Sequence, residues 1–399
     1  MIKGFRFKKN ERGYSEKTFV FMRNTIIPTT KYIFNPRITN QHNMPQTGPC
    51  FLYGNHSNYF DPFFLNLGLT EEPTAGVMTR DQFHKTLPRI FMDSIGIVPT
   101  SKYVPEPGII RSVIRMIEQR RMIVIFPEGG RRWDGRPKPL IETTLKLFWK
   151  MGIPVHPVQL HGSHLGWPRW ADKYRKSSIE IRFMDPIHAS DFEDYETFAA
   201  YCREMIGFDE YYPPEDAYPK SCKKPAAGVQ RFLYRCPDSG VTGSVFTPDG
   251  VNVYSRTSTM KYKMNVASRL VDRSGKEISV NDLHDKINQM PMVLERPEED
   301  VVLESPGSQI YMVNKEHQRV KLERAHVELK TDRLLISMGS EVFDLPMDDL
   351  RYISVEQNHK ITVTTPETTL QLVLEGKSAL MWNIYINRLK EGEIPVKSL

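Results

Sequence analysis

Cys50-Phe51-Leu52-Tyr53-Gly54-Asn55-His56-Ser57-Asn58-Tyr59-Phe60-Asp61-Pro62 decides how the chain is read. A short apolar run feeds into a glycine and a polar loop, and the loop closes on Asp-Pro. Such a run, bounded by turn residues, predicts a strand buried on both faces. Asp61 then becomes a helix N-cap and Pro62 the first helical residue. His56 and Asp61 fall at the sheet edge, where a rigid scaffold presents side chains to a ligand. An imidazole beside a carboxylate can take a proton from a hydroxyl, because the carboxylate fixes the tautomer and stabilises the imidazolium. On its own residues the stretch more readily suits a surface histidine next to an ordinary capping aspartate.

Outward from this stretch, short apolar runs alternate with helical patterns. Strands are expected at 74–78, 95–98, 122–126, 155–160 and 178–183, and helices at 62–68, 81–93, 108–120, 140–151 and 190–205. That alternation implies an α/β domain over 48–210, a mixed sheet with helices on its faces. Before it, residues 1–47 hold Lys3, Arg6, Lys8, Lys9, Arg12, Lys17, Arg23, Lys31 and Arg37 among Phe5, Phe7, Tyr14, Phe19, Phe21, Tyr32 and Phe34. Basic residues mixed with aromatics suit a segment on an anionic membrane surface. The alternatives are nucleic acid, which is the less favoured, or a basic arm packing its aromatics on its own domain. Two short helices broken near Pro28 are expected within 14–34.

After the α/β domain, 211–228 has a linker composition with Pro213, Pro214, Pro219 and Pro225. Residues 229–286 suggest a small β module, and 287–307 a second, acidic linker. Cys236-Pro237-Asp238-Ser239 and Ser255-Arg256-Thr257-Ser258 keep the offsets of paired zinc-ribbon knuckles, with serine at three of four positions. Serine is a poor zinc ligand, so a ribbon-like module without its metal competes with coincidence. In 308–399, alternating runs such as Leu334-Leu335-Ile336 and Ile361-Thr362-Val363 precede a helix at 377–390. Short strands closed by one helix resemble the pleckstrin-homology-like barrel in architecture.

The 399 residues allow two or three domains, and 40% hydrophobic with 26% charged content fits a globular protein with a polar surface. Cys50, Cys202, Cys222 and Cys236 form no CxxC pair, which argues against a disulfide framework or an intact zinc site. No apolar run reaches the roughly 18 residues of a membrane span, and no signal-peptide stretch opens the chain. A cytoplasmic protein peripherally associated with membrane is the expectation.

Ile123-Val124-Ile125-Phe126-Pro127-Glu128-Gly129-Gly130-Arg131-Arg132 repeats the pattern of a strand entering a loop, now with glycines and guanidinium groups. Glycine lets backbone N–H groups approach an anion, and arginine can grip phosphate oxygens bidentately. Together the two stretches resemble the glycerolipid acyltransferase family, which includes the 1-acylglycerol-3-phosphate acyltransferases. His56 and Asp61 match its HxxxxD block and Phe126–Arg131 its FPEGxR block, about seventy residues apart. Gly96–Lys102 stands at the second block and Ile153–Val158 at the proline-rich fourth, so the resemblance spans about 48–210.

The resemblance implies acyl transfer from acyl-CoA or acyl carrier protein to a lysophospholipid or glycerol phosphate hydroxyl, with no cofactor beyond that co-substrate and no metal. It implies His56 as general base, Asp61 as its orienting carboxylate, and Arg131 with Glu128, the Gly129 backbone and Lys102 at the acceptor's phosphate. Lys102 replaces a usual arginine, and Gly130 and Arg132 replace a common threonine and serine, which suggests a more basic pocket. Pro139–Thr144 lacks the Lys-Gly pair many members carry. Trp133, Trp149, Trp167 and Trp170 could line an acyl groove or lie in the core. His161-Gly162-Ser163-His164 admits a metal reading or a strand-end turn. The alternative to an enzyme is a catalytically idle membrane-lipid-binding adaptor.

Overall fold

Every residue of Cys50–Gly54 is buried, and its side chains divide between two cores. Cys50 and Leu52 join Met122, Val124, Val158 and Leu160 on one side. Phe51 and Tyr53 join Ile123, Ile125, Leu145 and Phe148 on the other. Period-two alternation explains the split, and burial on both faces explains why the run lacks polar residues. The computed structural model describes residues 7–83, 86–100, 107–314, 319–356 and 358–397. It divides into two units, one of residues 1–169 with 173–222, the other of residues 170–172 with 223–399.

In the first unit the described elements are α1 (Glu16–Phe21), α2 (Ile27–Phe34), β1 (Arg37–Thr39), β2 (Cys50–Gly54), α3 (Asp61–Phe64), β3 (Ala75–Thr79), α4 (Thr86–Ile95) and β4 (Ile97–Thr100). There follow α5 (Pro107–Glu118), β5 (Met122–Ile125), α6 (Glu142–Met151), β6 (Val155–His161), α7 (Ser163–Gly166), β7 (Glu180–Phe183) and α8 (Tyr195–Met205). The sheet runs β1-β7-β6-β2-β5-β3-β4. It is mixed, with β6 antiparallel to β7 and its other pairs parallel. Because β6, β2 and β5 are parallel neighbours, the loops leaving their carboxyl ends converge. Gly54 admits a close approach of β6, since a Cβ there would stand 2.6 Å from Val158 O.

Sequence and structure part company in several places. Pro28 does not break the amino-terminal helix: Met22–Ile26 widens into a π-helical turn between α1 and α2. That turn rearranges the backbone bonding just where a proline ring would crowd the preceding turn. Of the arm's aromatics, Tyr14, Phe19 and Phe34 pack into the core, while Phe21 (53% exposed) and Tyr32 (75%) face outward. Several of its cations are ion-paired within the domain, Lys9 with Asp93, Arg12 with Glu72 and Arg37 with Asp216. β1, which pairs in parallel with β7, is three residues flanked by polar ones and leaves too little pattern to read in the sequence. Helix α3 is a single turn rather than 62–68.

In the second unit, β8 (Val245–Phe246), β9 (Asn252–Ser255), β10 (Lys261–Met264), β11 (Arg269–Val271) and β12 (Glu277–Ser279) form an antiparallel meander, followed by α9 (Val280–Gln289). The paired knuckle positions do meet: Cys236 Sγ lies 3.2 Å from Ser258 Oγ. Burial pushes the thiol up, but bonds from Ser239, Ser255 and Ser258 outweigh it and hold its pKa at about 7. Hydroxyls thus join the two turns where zinc ligands would stand in a ribbon.

Next come β13 (Val301–Val313), β14 (Arg319–Lys330), β15 (Arg333–Met338), β16 (Glu341–Pro346), β17 (Tyr352–Glu356), β18 (Lys360–Thr364), β19 (Thr369–Val373) and α10 (Ala379–Lys390). The sheet order is β16-β15-β14-β13-β19-β18-β17, and α10 buries Trp382, Tyr385 and Ile386. Irregularities in the β13–β14 register bend β13, which pairs with β14 on one side and β19 on the other. The two expected linkers are packed segments. Tyr211 and Ala217 are buried in the first unit, and Met292 and Val301–Leu303 in the second, where β13 begins before residue 308. Proline and charge signalled turns there correctly, but buried apolar residues between them anchor the chain.

Candidate functional site

The His56 loop is held from inside. Asp61 is fully buried, and its Oδ2 accepts the N–H of Ser57 at 2.7 Å and of Asn58 at 2.8 Å. The same oxygen lies 2.8 Å from His56 Nδ1. Helix α3 takes no cap bond from a side chain at its start. The expected capping role is therefore corrected: the carboxylate turns back into the preceding loop, where it compensates two N–H dipoles and one imidazole. With Nδ1–H donated to Asp61, the basic lone pair sits on Nε2. The His56 ring is partly exposed, at 19% of its side chain, and stacks on Phe126 with centroids 4.3 Å apart.

Asp61 Oδ1 accepts from Ser163 Oγ at 2.5 Å. Ser163 begins α7, immediately after β6 and the left-handed Gly162 (φ 79°). Asn55 brackets β6 from the other side, exchanging bonds with the N–H and carbonyl of Leu160. The loops after β2 and β6 are thus stitched together by side chains reaching backbone.

The loop after β5 divides its two arginines between different tasks. Arg132 is fully buried and chelates Glu128 through bonds of 2.6–3.1 Å. It also lies 3.3 Å from Glu210 and donates to the carbonyls of Gly135, Phe208 and Ile206. Its own N–H donates to His56 O at 2.7 Å, joining the two loops. The expectation that Arg132 enriches a phosphate pocket is corrected: it is a buried strut. Glu128, 2% exposed, faces the same guanidinium, and the Gly129 N–H closes the turn on Phe126 O at 3.1 Å. Two adjacent buried carboxylates, Glu128 and Glu210, thus hold the Arg132 cation in place. Arg131 is half-buried beside the Tyr59 ring, 5.7 Å from its centroid, and is attracted electrostatically by Asp61. Lys102 lies outside the described residues.

Burial sets the electrostatics. It pushes Glu128 up, against the lowering effect of Arg132. It raises Glu210 to about 7, with Arg132 again opposing and Asp61 assisting. It pushes the Arg131 guanidinium down, against the pull of Asp61. His164 is driven to about 3 by burial and by the cations Arg175 and Arg132, so it stays neutral. His161 stacks on Phe208 and its Nε2 lies 3.1 Å from Gln159 Oε1. Neither histidine belongs to a group of three metal-type ligands among the described residues.

The structure brings the His56–Asp61 loop together with the Glu128–Arg132 loop, at a sequence separation that no local pattern reports. Sequence reasoning missed Ser163 and Glu210. The first lay within a motif read for its histidines, and the second carries no signal at all. Trp170 is fully buried, Trp149 packs against Phe198, Trp167 lies near Tyr59 and Phe60, and Trp133 sits under the Arg169 guanidinium. Arg169 in turn donates to Arg131 O at 2.8 Å.

Part of the chain is similar to known proteins. Residues 35–161 match the family model described as Acyltransferase. A 1-acyl-sn-glycerol-3-phosphate acyltransferase of Limnanthes alba is 26% identical over 141 residues, covering 35% of this chain and 50% of that protein. One from Bacillus subtilis (strain 168) is 21% identical over 156 residues, covering 39% and 75%. The crystal structure of the acyltransferase PlsC from Thermotoga maritima aligns at 18% identity and a TM-score of 0.40, covering 48% of this chain and 83% of that one. This chain thus spans half the length of its Limnanthes relative. Through residues 35–161, which carry His56, Asp61 and Arg131, it matches the acyltransferase family model and is similar to 1-acyl-sn-glycerol-3-phosphate acyltransferases.

Proposed function

We propose that the chain transfers a fatty acyl group from a thioester, acyl-CoA or acyl carrier protein, to the free hydroxyl of a lysophospholipid or glycerol phosphate. The observation that carries this reading is the 2.8 Å pairing of a partly exposed His56 with a buried Asp61. His56 Nε2 takes the acceptor's proton as its oxygen attacks the thioester carbonyl. The tetrahedral intermediate expels the thiolate, which recovers that proton from the imidazolium. General-base help of this kind is worth about 10²–10⁴-fold. Asp61 holds the tautomer throughout and offsets the charge on His56.

Arg131 is the group on this loop suited to an anionic acceptor, being cationic and half-buried beside Tyr59. Glu128, Gly129 and Arg132 shape the loop that presents it. Among the described residues no helix is long and apolar enough to cross a membrane. We read the chain as meeting lipid peripherally, through the outward Phe21 and Tyr32 with neighbouring Arg23 and Lys31. The carboxy-terminal sheet and helix would serve as a pleckstrin-homology-like docking module.

Purified protein incubated with labelled acyl-CoA and lysophosphatidate should yield diacyl product, and His56→Ala should abolish it. Full turnover by His56→Ala would sink the mechanism.

A further inference from the structure

Asp61 is a buried carboxylate with work on both oxygens. Oδ2 takes His56 and two backbone N–H groups, while Oδ1 takes the Ser163 hydroxyl at 2.5 Å. A short O–H···O⁻ bond between two fully buried groups is among the stronger bonds a side chain makes, and an unsatisfied buried carboxylate oxygen is correspondingly costly. Ser163 is also anchored by its backbone, since Asn58 Nδ2 donates to Ser163 O at 3.2 Å. The next residue continues the pattern. His164 N–H donates to Glu210 Oε2 at 3.1 Å, and Glu210 Oε1 accepts from Ser57 Oγ at 2.6 Å. The start of α7 is therefore tied to the His56 loop at three points.

Delivery of Ser163 depends on the turn before it. Gly162 has φ 79°, and a Cβ there would stand 2.4 Å from Ala217 O. Only glycine fits that bend without displacing backbone, so the turn aims Ser163 beneath Asp61.

We propose that Ser163 is a positioning residue of the acyl-transfer site, holding Asp61 through Oδ1 so that Oδ2 is kept for His56. The proposal rests on the acyl-transfer reading above. Its hydroxyl acts in two ways. It fixes the carboxylate's rotation, and so the direction in which His56 points. It also draws charge from the carboxylate, which weakens the hold on an imidazolium and keeps His56 available as a neutral base. Among the described residues, the groups that interact electrostatically with Asp61 include Arg131 and Glu128 from the β5 loop and Glu210 from the segment after α8. Lys138 and Arg132 act on Glu128, and Arg132 on Glu210, and all of these side chains are retained in a variant at residue 163.

Ser163→Ala and Ser163→Thr, made in the full chain, test this. Ser163→Ala should lower kcat about tenfold to a hundredfold, with KM within about twofold. The acidic limb of its kcat/KM profile should move up by about half a unit to one unit, since a less neutralised Asp61 makes His56 more basic. Ser163→Thr keeps the hydroxyl and should recover most of the rate and the original limb. In parallel, NMR titration of histidine-labelled protein, with His56 assigned by its loss in His56→Ala, should show the same upward shift without any substrate. That measurement stands even if no lysophospholipid is turned over, an outcome that would defeat the acyl-transfer reading but not the hydrogen-bond assignment. An unmoved His56 titration in folded Ser163→Ala overturns the proposal. So do equal losses in both variants with an unmoved limb, which would mark packing damage alone.

Discussion

Replacing Arg132 by methionine should destabilise the amino-terminal unit severely, and more so at high pH. The side chain is fully buried between Glu128 and Glu210 and donates to three carbonyls. Methionine fills much of the volume but returns none of these bonds. Removing one partner of a buried ion pair costs about 3–5 kcal/mol. At about 2–4 °C per kcal/mol for a unit of this size, the midpoint should fall by roughly 10 °C. The sign of the pH dependence follows from the two carboxylates. Burial already raises Glu128 and holds Glu210 at about 7, with Arg132 pulling both down. Without Arg132 both rise further above their unfolded values. A raised folded pKa contributes stability that is present below the unfolded pKa and lost as pH climbs through the folded one. The variant should therefore lose much less at pH 5 than at pH 8.5. Urea unfolding of the full chain, read by hydrogen exchange in peptides spanning 122–125 and 155–161, isolates the relevant core strands. A loss below about 1 kcal/mol, well under the buried-pair cost, or a larger loss at acid pH, would refute the account of Arg132 as a buried strut.

Other outcomes follow from neighbouring geometry. Gly54→Ala should cost about 1–3 kcal/mol, since its Cβ would press on Val158 O at 2.6 Å; an unchanged unfolding midpoint would contradict that packing. Arg131→Ala should raise KM for a phosphorylated acceptor by about tenfold to a hundredfold, the worth of a charged hydrogen bond, with Arg131→Lys between; equal KM values would exclude Arg131 from acceptor binding. Phe21→Ser with Tyr32→Ser should weaken sedimentation with phosphatidylglycerol-containing vesicles without shifting the melting midpoint, because both rings face outward. Undiminished vesicle binding would remove the amino-terminal helix from that role.

Much of this was legible before any coordinates. Apolar runs bounded by turn residues located β2, β3, β5, β6 and β7 to within a few residues, most sharply β2 and β5, in which every residue is buried. The pairing of His56 with Asp61 was legible through the HxxxxD block that the stretch resembles, and less so from the loop's own residues. The packed nature of 211–228 and 287–307 was hidden, as turn residues mark where a chain bends but not whether it is anchored. The amino-terminal aromatics were ambiguous for the same reason: a helix shows its apolar residues but not which face finds a core.

By itself, the sequence determined the strands from β2 to β7, the two loops that hold His56–Asp61 and Glu128–Arg132, and the family that they resemble. Tertiary structure decided the division of labour inside the site. Arg131 and Arg132 are adjacent and chemically identical, yet one borders the site and the other is buried between two carboxylates. Ser163 reaches Asp61 across 102 positions and Glu210 reaches Ser57 across 153, because parallel strands β6, β2 and β5 lie side by side and end at one edge. Contacts between residues that far apart come from sheet register and burial, and no local pattern in the chain encodes them.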